Sequence, residues 1–296
     1  MNVSWWCSGG GGQPWEWTYR PYLGVWLLVG LIGGLYWWAH RALADDHQQR
    51  VERSRAIRLA TALTVIVIAS EWPLGALGAG YSAAVAMVRV ILYALVAAPL
   101  LVSSVPPWLL RRLLRPKFVF RVARTLTRWP VAFVLFNLTI VLISTPLVVD
   151  AFKTTQLGSF ALDAALLTVS LIVWYPVFGP LEELPRLGDP GRAFYVLAQA
   201  MVPVIPASFL TFAPFPLFRI YELAPPFMDS FDPVADQQVA GLIFNVVGGL
   251  ILLGFAAVLL LQWANREDAQ PLVVPASDSG SHPPPMATTP EHQRKG

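Results

Sequence analysis

Seven stretches of about 20 apolar residues run through this chain, a length that matches the roughly 30 Å hydrocarbon core of a bilayer when wound as a helix. They lie near 22–42, 57–78, 82–105, 130–150, 159–181, 193–213 and 237–263. Backbone N–H and C=O groups cannot stay unpaired in lipid, and barrel strands would alternate polar and apolar residues, so runs apolar on every side predict helices. Charged residues make up 13% of the chain against 55% hydrophobic, about half the charged share of a soluble domain. The expected fold is an all-α integral membrane protein, a seven-transmembrane helix bundle.

Orientation follows from the basic residues, which accumulate in cytoplasmic loops. The connections near 41–58, 106–129 and 182–192, together with the tail, carry seventeen of the 21 Lys and Arg residues. The opposite set of loops carries Arg20, Lys153 and Arg219, and Arg89 lies inside a span. This asymmetry puts the N-terminus outside and the C-terminus in the cytoplasm. The net charge of +3 is dispersed among these short connectors, so it serves topology and gives no nucleic-acid face. Within 106–128, basic and bulky apolar residues mix as in a segment lying on anionic headgroups.

Three regions are expected: a leader over 1–21, a transmembrane domain over 22–265 and a cytoplasmic tail over 266–296. The leader opens MNVSWWCSGGGG, which lacks a basic and apolar signal sequence, so the first helix is the expected insertion signal. Its glycines at 9–12 read as a flexible lead-in. The tail is too polar to order itself, and is expected to be disordered. Cys7 is the only cysteine, which excludes an internal disulfide framework. Neither an internal repeat nor a pair of interrupted spans of the transporter type is evident. Prolines at 73, 99, 146, 176, 203 and 206 each free a carbonyl and bend the helix they enter.

Ionisable groups inside spans are energetically unfavourable and are the first candidates for function. Glu71, Arg89 and Asp163 fall in the outer half of the bundle at similar depth. Arg89 and Asp163 carry opposite charge, and pairing would offset most of the penalty of holding either in low dielectric. The alternative is that Arg89 snorkels outward and Asp163 caps its own helix. Glu71, beside Trp72-Pro73, fits a headgroup-level residue at a helix end. Asp236 and Gln237 open the last span, where an aspartate caps free amides. Asn245, two turns deeper, suits an interhelical hydrogen bond.

The four histidines, His40, His47, His282 and His292, sit on the cytoplasmic side or in the tail, away from the outer half. Met87 is a soft ligand, but one thioether does not make a copper site. No metal site and no cofactor are expected, and hydrolase, kinase and P-loop signatures are absent.

The order of several motifs is nonetheless distinctive. Trp15-Glu16-Trp17 precedes the first span, EWPLGALG closes the second, LVAAPLLVSSVPP lies in the third, and WYPVFGP ends the fifth. ASFLTFAPFPLF is then followed by DQQVAGLIF at the seventh. Over about residues 15–265 this succession resembles the multi-spanning cytochrome c oxidase assembly factors of the CtaG family. The resemblance implies a seven-helix protein of a prokaryotic plasma or inner membrane that supports maturation of a haem–copper oxidase, with copper supplied on the outer side. Family members carry an H-M-x-Q-H pattern in the third span, which aligns on Ala86, Met87, Arg89 and Val90. Further family histidines align on Ser144, Ser159 and Asp163. This chain therefore matches the scaffold and lacks the ligands, and the Arg89–Asp163 pair is expected to replace them.

The expected function is an accessory or assembly factor, not an enzyme, acting by contact with oxidase subunits or other assembly factors among membrane lipid. A structural subunit of another membrane complex is the alternative, followed by a small-solute transporter. The near absence of ionisable residues in the inner halves of the spans opposes a continuous ion path.

Overall fold

The structure is a computed structural model and describes residues 4–9, 12–43, 52–228 and 231–268. The tail beyond Asp268, with His282 and His292, and His47 in the first connector lie outside the described residues. Within them the fold is all-helical, with no strand. Five helices are long and apolar enough to cross a membrane, or up to seven if each of two bent pairs counts as one span.

The helix α1 covers Leu23–Leu43. Next come α2 (Arg53–Ser70) and α3 (Leu74–Gly80), which meet at a bend of 50°. That bend breaks the expected 57–78 span. Glu71 is extended and ends α2 two positions before Pro73, which has no N–H to continue the helix. The helix α4 (Ala83–Ser104) is continuous, although its turn over Leu92–Ala97 is π-helical. Trp174 Nε1 donates to Ala94 O at 2.6 Å inside that widened turn.

Two short helices follow, α5 (Pro107–Leu113) and α6 (Lys117–Leu126). In α6 the basic positions Lys117, Arg121 and Arg124 recur along one face, and no residue is buried. Such a helix suits the plane of a membrane interface better than its interior. A bend of 71° leads into α7 (Trp129–Ile143). Its 15 residues span about 23 Å, short of a bilayer. The apolar run is completed after Ser144 by α8 (Pro146–Phe152). The chain then forms α9 (Gln156–Phe178), α10 (Asp189–Gln199) and α11 (Val204–Phe212), the last two making one candidate span. A single turn, α12 (Arg219–Glu222), precedes α13 (Pro233–Glu267), whose turn over Ile243–Val247 is also π-helical.

The helix α4 is the hub. It packs against α2, α3, α9 and α13, and 67% of its most apolar window is buried against 11% for α1. Lipid offers no hydrophobic drive between helices, so close contact through small side chains decides which helix sits centrally. Ala83, Ala86, Ala94, Ala97 and Ala98 of α4 are all buried. Leu27, Leu31 and Leu35 of α1, by contrast, are exposed, as expected of a helix facing hydrocarbon.

Candidate functional site

At one end of the bundle, the start of α4, α3, the C-terminus of α2 and the first turns of α9 enclose a polar cluster. Arg89 is 2% exposed. Its Nη2 lies 2.6 Å from Asp163 Oδ2, and its Nε donates to Ala69 O at 2.7 Å. The carbonyl it reaches belongs to the last turn of α2, where free acceptors accumulate. Gly78 makes room for the side chain, since a Cβ there would stand 2.6 Å from Arg89 Cδ. Asp163 does not cap α9, because Thr155 accepts from Gly158 N at the true start of that helix. The carboxylate sits about two turns inside the helix.

The segment 4–9, part of the leader expected over 1–21, folds into this cluster. Trp6 and Cys7 are fully buried. Trp6 Nε1 donates to Asp163 Oδ2 at 3.1 Å, and Arg89 Nη2 lies 3.6 Å from Cys7 Sγ. Gln156 Oε1 accepts from Trp5 N at 2.9 Å, and Gly9 N donates to Lys153 O at 2.8 Å. Phe160 packs edge-on against Trp6 with ring centroids 4.9 Å apart. The density of aromatic residues around Cys7 was the available sequence signal, masked by the flanking glycines.

Lys153 is a second group that span-based reasoning passed over, because it falls in a loop. Its Nζ donates to Tyr221 OH at 2.7 Å and to Gly78 O at 3.0 Å. Burial, with Arg89 nearby, holds its amine down to about 8, whereas burial pushes the Cys7 thiol up to about 11 and raises the Tyr221 phenol. Below pH 8 Lys153 is charged whether the protein is folded or not, and the fold carries the burden of the buried cation. Above pH 8 the folded lysine loses its proton first, so stability rises with pH. From about pH 9 the buried thiol, which keeps its proton longer than in the unfolded chain, acts in the opposite direction. The unfolding midpoint in detergent is therefore expected to climb between pH 8 and 9, and Lys153→Met is expected to flatten that climb. An unchanged slope in the variant would show that another group carries it.

Glu71 is buried beside this cluster at the end of α2. Its Oε1 accepts from Tyr22 N at 2.9 Å and from Tyr19 OH at 3.3 Å, joining the entry of α1 to the end of α2. Its Oε2 has no partner. Asp236 departs from expectation. Asp232 caps α13 by accepting from Val234 N. Asp236 reaches across instead to the first amides of α4, accepting from Ala83 N at 2.6 Å and from Ser82 Oγ at 2.7 Å. Gln237 is buried and holds the 213–217 loop through Leu217 N at 2.6 Å and Phe215 O at 3.3 Å. Asn245 stands apart from all of these, exposed in the π-helical turn of α13.

The positions aligned with histidines of the family pattern hold Ala86, Val90, Ser144, Ser159 and Asp163. Among the described residues, no group of three or more His, Cys, Asp or Glu side chains is arranged to hold a metal ion.

The fold and this cluster define a polytopic helical membrane protein whose polar interior is concentrated at one end of the bundle around an ion pair. Residues 34–266 match the family model described as cytochrome c oxidase caa3 assembly factor, and the chain belongs to that family. No curated protein and no solved structure is significantly similar to it. As a member of the family, the protein is a cytochrome c oxidase assembly factor.

Proposed function

We propose that this chain serves oxidase assembly by protein contact within the membrane and carries no copper at its polar end. The observation that supports this reading is the Arg89–Asp163 pair of 2.6 Å, in which Asp163 aligns with a family histidine and Arg89 lies between Ala86 and Val90, which align with two others. The residues around it do not fit a copper ion. A guanidinium repels a cation, a thiol held up to about 11 stays protonated, and Met87 offers one thioether. The charged couple instead holds α4 to α9 and, through Trp6, fixes the segment 4–9.

On this reading the bent pair α2–α3 and the α7–α8 run each cross the membrane, giving seven spans over 22–265. The leader 1–21 lies outside and the tail 266–296 in the cytoplasm, since the basic connectors then all face the cytoplasm. The cell membrane of a prokaryote is the corresponding site, and the role is non-catalytic. Glu71, Asp236 and Gln237 act as structural polar residues that fix helix ends, and the partners are oxidase subunits or other assembly factors.

The test is purification from native membranes in gentle detergent, with subunit identification and metal analysis. Oxidase subunits are expected to co-purify, with copper far below one equivalent after dialysis. Stoichiometric copper would overturn the copper-free reading, and stable recovery with an unrelated complex would overturn the contact role.

A further inference from the structure

The helix α13 carries an amide that its own chain does not satisfy. Asn245 stands eight residues beyond Gln237, about 12 Å further along the axis and well inside the roughly 30 Å apolar core that such a helix crosses. The turn that holds it, Ile243–Val247, is π-helical, a rare widening that recurs at functional sites. Its side chain is exposed, and no hydrogen bond joins it to another described residue.

Other polar side chains of the helices are met within the chain. Asn137 Nδ2 donates to Phe133 O at 2.9 Å and to Gln199 Oε1 at 2.8 Å, and Gln237 Oε1 accepts from Leu217 N. Even the exposed Thr64 and Thr168 donate one turn back, to Ala60 O at 2.9 Å and Ala164 O at 2.7 Å. Hydrocarbon offers no hydrogen bonds, so an amide left bare in it is strongly unfavourable. The surface beside Asn245 is open to another helix. Gly249 follows one turn later, and a Cβ there would meet no protein atom within 4 Å. Leu242, Val246, Leu250 and Leu253 flank the two and are each at least 50% exposed. A glycine lets two backbones approach closely, and a side chain as short as asparagine needs that approach to reach across.

We propose that Asn245 and Gly249 form the contact through which two copies of this chain pair in the membrane. Copies inserted the same way are related by a two-fold axis along the bilayer normal, which sets each residue at the depth of its twin. A carboxamide both donates and accepts, so Nδ2 of each Asn245 donates to Oδ1 of the other and both amides are met at once. A helix of another protein would need a matching polar group at this depth, and lipid chains have none. The pairing does not rest on the oxidase contacts proposed above.

The full chain, carrying one fluorophore per copy at its C-terminus, is reconstituted into liposomes over a range of protein-to-lipid ratios and scored by single-molecule photobleaching. Two-step bleaching that gives way to one-step bleaching on dilution is expected. Asn245→Leu is expected to weaken pairing roughly three- to thirtyfold, and Asn245→Gln to keep most of it. Gly249→Leu holds the backbones apart and is expected to weaken pairing comparably. Because Asn245 bonds to nothing in its own chain, the Asn245→Leu monomer is expected to unfold at the wild-type midpoint, which separates lost pairing from misfolding. A second readout leaves both contact residues intact. Val246→Cys, 51% exposed beside Asn245, is expected to cross-link to a dimer on oxidation, and Leu31→Cys on α1 is not, with the fully buried Cys7 silent in both. A wild type that stays monomeric at every ratio overturns the proposal, and if Asn245→Leu then also loses co-purifying subunits, the amide serves another protein. Pairing unaffected by both Asn245→Leu and Gly249→Leu, or cross-linking at Leu31→Cys in place of Val246→Cys, puts the contact on another face and overturns it equally.

Discussion

Replacing Arg89 with methionine is expected to lower stability by about 3–5 kcal/mol, the range found when one partner of a buried ion pair is removed. The loss comes chiefly from what stays behind. Asp163 is left with the Trp6 indole as its remaining partner, and Ala69 O at the end of α2 loses its donor. Adding Asp163→Leu to the same chain removes the stranded carboxyl group, so the double variant is expected to recover most of the loss. Thermal unfolding in detergent, followed by tryptophan fluorescence, gives the four corners of the cycle. If the double variant is as unstable as the sum of the two singles, the groups do not act as a pair and the account of this end of the bundle is wrong.

Trp6→Ala is the second large effect, with an expected loss of about 3–5 kcal/mol from deleting a fully buried aromatic side chain. Trp6→Phe separates the two roles of the indole. It keeps the ring against Phe160 and removes only the N–H to Asp163, for an expected loss of about 1.5–3 kcal/mol, as for hydrogen bonds to charged groups. A second readout follows from Cys7, which is fully buried and held protonated. A maleimide should label it slowly in the wild type and rapidly in Trp6→Ala. Equal rapid labelling in both chains would show that residues 4–9 do not cover the cluster.

Hydropathy placed the helices well because a bilayer imposes one length and forbids unpaired backbone; Leu23–Leu43 and Ala83–Ser104 fall within two residues of the expected spans. The bend at Glu71 was signalled by Pro73 and not by hydropathy, since the apolar run continues through the proline while the helix does not. Among the site residues, Arg89 and Asp163 stood out because charge inside a span is conspicuous. Lys153 and Cys7 did not, because their burial arises from loops closing over one another, and sequence distance hides that. Asp236 was legible as a capping residue, but the helix it caps is α4, a choice made by tertiary packing alone. Gln199 and Asn137, whose side chains meet at 2.8 Å, were passed over because neutral amides in a span carry no charge to draw notice.

The contacts of residues 5–9 also constrain how the chain matures. Trp6 meets Asp163 at a sequence separation of 157, and Trp5 meets Gln156 at a separation of 151. A ribosome adds roughly 5–20 residues each second, so Trp6 emerges on the order of ten seconds before its acceptor exists. The earliest of these residues to be made are thus among the last to settle, and the polar end can close only after α9 has entered the bilayer. Truncation before that helix would leave two adjacent tryptophans and a thiol exposed, a ready signal for quality control of an unfinished chain.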